Sequence, residues 1–87
     1  VKGQPSELEK QISLYPNPTV DFINIELPTL SDGSVYEIAL LDASGRILNT
    51  KQANSNIKFD LKSYTKGLYI IQVKANENVS SFKITKK

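Results

Sequence analysis

Residues 57–75 read IKFDLKSYTKGLYIIQVKA, from Ile57 to Ala75, and their pattern decides the fold class. Ile57, Phe59 and Leu61 alternate with Lys58 and Asp60, the period of two expected of a half-buried strand. Ser63 to Gly67 forms a turn region. Leu68 to Ala75 then reads as the most buried strand of the chain. Tyr69, Ile71 and Val73 face one way, Leu68 and Ile70 the other.

The same alternation extends in both directions. Downstream, Asn76-Glu77-Asn78 turns the chain into a strand over Val79 to Lys86, with Phe82 and Ile84 inward and Lys83 and Thr85 outward. Upstream of the polar run Asn54-Ser55-Asn56 lie a strand over Arg46 to Lys51 and another over Val35 to Leu41, the latter with Tyr36, Ile38 and Leu40 on one face. Between them, Asp42-Ala43-Ser44-Gly45 fits a type I turn, with Asp first and Gly fourth. A strand over Val20 to Leu27 ends at Pro28. Its apolar set slips phase between Phe22 and Ile23, as a bulge or burial on both faces produces. Asp32-Gly33-Ser34 is a turn. The first strand is Ile12 to Tyr15, stopped by Pro16. Only Pro5 to Gln11 could form a helical turn, and it is short and polar.

Turn signals every 8–12 residues or so mark a sandwich or barrel. The expectation is an all-β domain, a seven-stranded antiparallel β-sandwich with immunoglobulin-like or Greek-key character. The Cys…Trp…Cys signature of true immunoglobulin domains is missing. Residues 1–11 read as a linker from an upstream segment and residues 12–87 as the folded domain.

Eighty-seven residues suffice for one domain, whose core is thin: a chain this short buries only about 60–65% of its unfolded surface. Hydrophobic residues at 39% and charged residues at 23% place it among globular domains. No apolar run approaches the roughly 20 residues of a membrane-spanning helix. Val1-Lys2-Gly3-Gln4-Pro5 lacks the apolar segment of a signal peptide. The expectation is a fragment or mature product whose export address lies upstream or is the domain itself.

Cysteine and histidine are absent. Disulfides, thiolate metal sites, cysteine nucleophiles and Ser-His-Asp catalysis are thereby excluded. Asp21, Glu26, Glu37 and Asp60 fall at outward strand phases, where a solvated charge is the ordinary explanation. The glycines are scattered singly, so no phosphate loop exists. Asp32, Ser34, Asp42 and Ser44 lack calcium-loop spacing. An enzyme, a cofactor and a metal site are therefore not expected. Asn78-Val79-Ser80 matches a glycosylation acceptor too short to carry weight. Phe22, Phe59, Phe82, Tyr36 and Tyr69 fall at core phases. Tyr15 and Tyr64 sit beside turns, which leaves a carbohydrate- or protein-binding module as the alternative function.

A net charge of +2 is too weak to suggest nucleic acid. The distribution is uneven: residues 1–57 carry four cations against seven acids, and residues 58–87 carry seven lysines against Asp60 and Glu77. This is either a solvated lysine fringe that discourages edge pairing or a basic face that a partner recognises.

Pro16-Asn17-Pro18 fixes two φ angles, removes two backbone donors and biases Tyr15 and Asn17 toward extended conformations. The segment leaves the ladder and runs stiffly to the next strand. It also opens an ordered series: Tyr15-Pro16-Asn17-Pro18; Leu41-Asp42 followed by Ser44-Gly45-Arg46; Asp60-Leu61, Tyr64 and Lys66-Gly67-Leu68-Tyr69; and Phe82-Lys83-Ile84 with a closing Lys86-Lys87. The series resembles the C-terminal sorting domain of the type IX (Por) secretion system, in its type A form, over residues 12–87.

The resemblance implies an address label on exported proteins of certain Gram-negative bacteria. Its partners would be the type IX translocon, an outer-membrane shuttle protein, a sortase-like cysteine peptidase and an upstream cargo domain in the same precursor. The peptidase would cleave upstream of Ile12, and the cargo would pass from the periplasm to the outer membrane, cell surface or medium. The motif residues are Pro16, Asn17, Pro18, Gly45, Arg46, Lys66, Gly67, Tyr69, Lys86 and Lys87. Gly45 and Gly67 also have a turn-geometry explanation and Tyr69 a core one. Arg46 and Lys66 are the better surface candidates. A weak homodimer through an exposed edge is a further partner expectation.

Overall fold

The computed structural model describes residues 12–29, 33–75 and 78–87. The expected tether over residues 1–11, the possible helical turn in it, Asp32 and the Asn76-Glu77 turn lie outside the described residues. Seven strands occur: β1 Ser13–Tyr15, β2 Phe22–Glu26, β3 Tyr36–Asp42, β4 Ile47–Ala53, β5 Ile57–Asp60, β6 Gly67–Ala75 and β7 Asn78–Lys86. All named pairings are antiparallel. They build a three-stranded sheet in the order β1-β2-β5 and a four-stranded sheet in the order β4-β3-β6-β7. The fourth strand thus joins the sheet of β3, β6 and β7.

The two sheets close on one apolar core. Ile23, Ile25 and Phe59 come from the first sheet; Tyr36, Ile38, Leu40, Tyr69, Ile71, Val73 and Ile84 come from the second. These are the alternate positions of each strand, so period-two spacing converts directly into one buried face per sheet. The Tyr36 hydroxyl donates to the Pro28 carbonyl at 2.5 Å, and burial pushes its pKa up.

Three expectations about faces are corrected. Val20 is 58% exposed and precedes β2, while Phe22 is 38% exposed. No bulge is needed: Ile23 pairs with Phe59, which fixes the inward phase at Ile23 and Ile25 and sends Phe22 outward. There the Lys58 ammonium lies 4.6 Å from the Phe22 ring centre, so an expected core aromatic is a covered surface one. Leu68, expected to be buried, is 44% exposed, because β6 outruns β3 at that point. A register shift does occur, between Leu40 and Leu41 of β3.

The prolines bracket a crossing between the sheets. Both the Tyr15–Pro16 and Asn17–Pro18 peptide bonds are cis. β1 descends to Tyr15 in one sheet, the chain crosses to the edge of the other, and Asp21 returns it to β2.

Candidate recognition surface

The β3–β4 turn is organised by Asp42. Its Oδ1 accepts hydrogen bonds from the Ser44 amide (3.0 Å), the Ser44 hydroxyl (2.6 Å) and the Arg46 amide (3.0 Å). Its carbonyl accepts from the Gly45 amide at 2.9 Å, the closing bond of the expected type I turn. Gly45 follows at φ 93°, in the region that side chains with a Cβ avoid. A type I turn ending in such a residue beside a register shift is a recurrent hairpin solution. The Arg46 guanidinium completes it, with Nε 3.2 Å from Asp42 Oδ2. The Ser44 hydroxyl first, and then the Arg46 amide, hold the Asp42 carboxyl below the usual carboxylate range. Arg46 remains 77% exposed in its side chain.

The β5–β6 loop is organised by Tyr69, which is buried as expected. Its hydroxyl donates to the Thr65 carbonyl at 2.6 Å, and Tyr64 packs against its ring at 6.0 Å between centroids. A tyrosine near the start of a strand whose hydroxyl returns to the backbone just upstream is a corner device of immunoglobulin-type sandwiches. Here it fixes Lys66 and Gly67 at the entrance to β6. Tyr64, half-buried against Tyr69, is no free aromatic platform. Tyr15 is exposed, and its hydroxyl donates to Glu26 at 2.7 Å.

The hinge is organised by Asn17 and Thr19. Asn17 Nδ2 donates to the Lys83 carbonyl (3.3 Å), and Asn17 Oδ1 accepts from the Thr85 amide (3.1 Å). One side-chain amide thus occupies the outer edge of β7 as a neighbouring strand would. Thr19 continues the pattern: its amide donates to the Thr85 carbonyl and its carbonyl accepts from the Lys87 amide, both at 2.8 Å. It is completely buried, with its hydroxyl donating to the Phe22 carbonyl. On the other side, the Asp21 carbonyl accepts from the Leu61 amide at 2.7 Å.

These contacts gather the expected motif residues at one end of the sandwich. Asp42 is register partner to Tyr69, Gly67 to Lys86, and Thr19 bridges Lys86. Pro16, Asn17, Pro18, Gly45, Arg46, Lys66, Gly67 and Lys87 are exposed there, Lys86 is half-exposed and Tyr69 supports them from beneath. An open groove of about 320 Å³ runs between the 42–44 turn and residues 65–69. The sequence pattern marks Asp42 as a turn residue but does not single out Thr19, Thr65 or the Asp42–Arg46 ion pair. The spacing Asp42 to Arg46 is the available signal for the ion pair; Thr19 and Thr65 act through contacts that the alternation of apolar and polar residues does not encode.

Among the described residues no acidic or other metal-binding cluster occurs, and no helix is long and apolar enough to cross a membrane. Replacing Asn17 with Ala is expected to cost about 1 kcal/mol in denaturant unfolding. It should also speed hydrogen exchange at the Thr85 amide while leaving Ile71 protected. An unchanged Thr85 rate would show that the side-chain clamp does not hold β7 in solution.

A model of the family described as secretion system C-terminal sorting domain matches residues 13–87. An ulvan lyase from Nonlabens ulvanivorans is 38% identical over 69 residues, which cover 77% of this chain and 12% of that protein. The chain therefore spans a small part of the length of the curated relative it matches.

Proposed function

This chain belongs to the family of secretion system C-terminal sorting domains and is a type IX sorting signal, and we propose that the end where its motifs converge is the surface the export machinery reads. One observation carries this reading. Residues as distant in sequence as Asn17 and Thr85, or Asp42 and Tyr69, are brought together at one end by direct contacts. A label read at a folded surface needs such an end, whereas stability alone does not require Arg46 and Lys66 to stand in solvent.

The direction of β1 supports a label that is separate from its load. β1 enters from the end opposite the motifs, since Ser13 pairs with Glu26 at the far end of β2 and Tyr15 leads into the hinge. Ile12 leads into β1 on that side, and residues 1–11 would act as the tether to an upstream cargo domain. Cleavage by a sortase-like peptidase upstream of Ile12 would free the cargo without touching the sandwich. In this reading the label acts in the periplasm, engages an outer-membrane shuttle and the translocon, and delivers cargo to the surface or beyond. The domain performs no catalysis of its own. Weak pairing between copies would use the outer edge of β4.

Fusing residues 1–87 to an inert periplasmic reporter in a host with the type IX machinery tests the proposal. Export of the reporter is the expected result, and a reporter that stays in the periplasm contradicts it.

A further inference from the structure

We propose that the groove between the Asp42–Arg46 turn and Lys66-Gly67-Leu68 is a docking site for an extended, acidic segment of a partner protein that also carries an apolar side chain. The inference rests on the reading of the motif end as the recognised surface, and it assigns that partner's chemistry.

Backbone supplies the first argument. Asp42↔Tyr69 is the last register pair between β3 and β6, while β7 still pairs with Leu68 and Gly67 through Thr85 and Lys86. On the β3 side the first two residues of β6 therefore outrun their neighbour and present a strand edge to the groove. An extended segment adds to such an edge through main-chain hydrogen bonds. Gly67 stands at φ 148°, and a Cβ built on it would meet nothing within 4 Å. The space above its backbone is open, so a second chain can approach closely.

Side chains supply the second. Leu68 is 44% exposed on the outer sheet face, beside Ile70 on the same strand. Ile70 is register partner to Leu41, and Leu41 to Ile47, which is 59% exposed. This apolar row ends at the groove and suits an apolar side chain from the occupant.

Charge supplies the third. Lys66 lines the groove, Arg46 stands beside it through its contact with the lining residue Asp42, and Lys83 and Lys86 lie on β7 with Lys87 just after it. Of the acids near this end, Asp42 already accepts from Ser44 and Arg46, Asp60 accepts from the Lys62 amide at 2.9 Å, and Asp21 lies in the hinge. A carboxylate entering the groove gains charge-assisted hydrogen bonds from Lys66 and Arg46. A second copy of this chain would bring cations against cations, which argues against self-pairing here.

The test is an amide-resolved NMR titration of the 87-residue domain with a blocked peptide of alternating Glu and Val, against the same peptide with Gln for Glu. Shifts confined to Ser44–Ile47 and Lys66–Ile70 are expected, and binding should weaken by about tenfold or more with the Gln peptide or in Lys66→Glu. Shifts located elsewhere, equal binding of the Gln peptide, or concentration-dependent shifts of these amides without peptide would overturn the proposal. So would tighter binding to phosphatidylglycerol vesicles than to the peptide at matched charge. In the reporter fusion, Lys66→Glu/Leu68→Ser and Arg46→Gln are exposed-site variants whose folding is checked by circular dichroism. Parent exported and both folded variants retained supports the docking site. Parent and variants exported alike refutes the docking site and leaves the broader reading standing. A retained parent removes both.

Discussion

Removing Ser80 to Lys87 is expected to abolish folding and export together. The deletion takes away most of β7, which pairs with β6 along all nine of its residues. It takes Ile84, 1% exposed, from the core and Phe82 from its margin. Those two side chains represent about 3–5 kcal/mol of burial, against about 5–15 kcal/mol for the whole stability of a typical domain. The ladder is lost as well, and with it the Thr85 and Lys87 partners of Asn17 and Thr19, so the hinge has nothing to close on. Circular dichroism of the truncated domain should show loss of cooperative unfolding, and its reporter should remain in the periplasm. The Lys86→Gln/Lys87→Gln variant separates charge from fold: it keeps the strand and should melt close to the parent. Cooperative unfolding of the truncated domain with normal export would contradict the placement of β7 in both core and label.

The strands that alternate cleanly were legible in the sequence, and for a physical reason. Ile57 to Leu61 and Leu68 to Ala75 encode their inward face locally, since each side chain's face is set by its neighbours' spacing. The turn at Asp42 was legible because one carboxylate and one glycine determine its geometry within four residues. Phe22 was misread because its phase depends on which residue β5 places opposite. Ile23↔Phe59 settles that, and no local pattern contains it. Leu68 was misread because burial on the outer face depends on how far β3 extends beside β6. The motif residues were legible only as an ordered series. Their meeting at one end depends on contacts such as Asn17 to Lys83 and Thr85, 66 and 68 residues away. The prolines were legible as a stiff hinge. That the residue between them serves as a substitute strand for β7 follows from the sheet edge it lands on.

Phe59→Ala is expected to make export temperature-sensitive without altering a single motif residue. Phe59 is fully buried in β5, opposite Ile23 in the sheet, with the Lys51 ammonium 5.1 Å from its ring centre at the sandwich margin. Truncating a buried Phe to Ala costs about 3–5 kcal/mol. In a domain of this length each kcal/mol lowers the melting temperature by roughly 4–8 °C, so the fall should be at least ~12 °C. Below the new melting temperature the motif end re-forms intact, because Asp42, Tyr69, Asn17 and Thr19 keep their own partners. Above it the same motifs persist in an unfolded chain. Reporter export measured on both sides of that temperature therefore tells a folded label from a linear one. Export lost in step with the unfolding curve is the expected outcome. Export that continues unchanged above the transition would mean that the motifs are read one after another along the chain, and the gathering of Asn17, Arg46, Lys66 and Lys86 at one end would then serve stability alone.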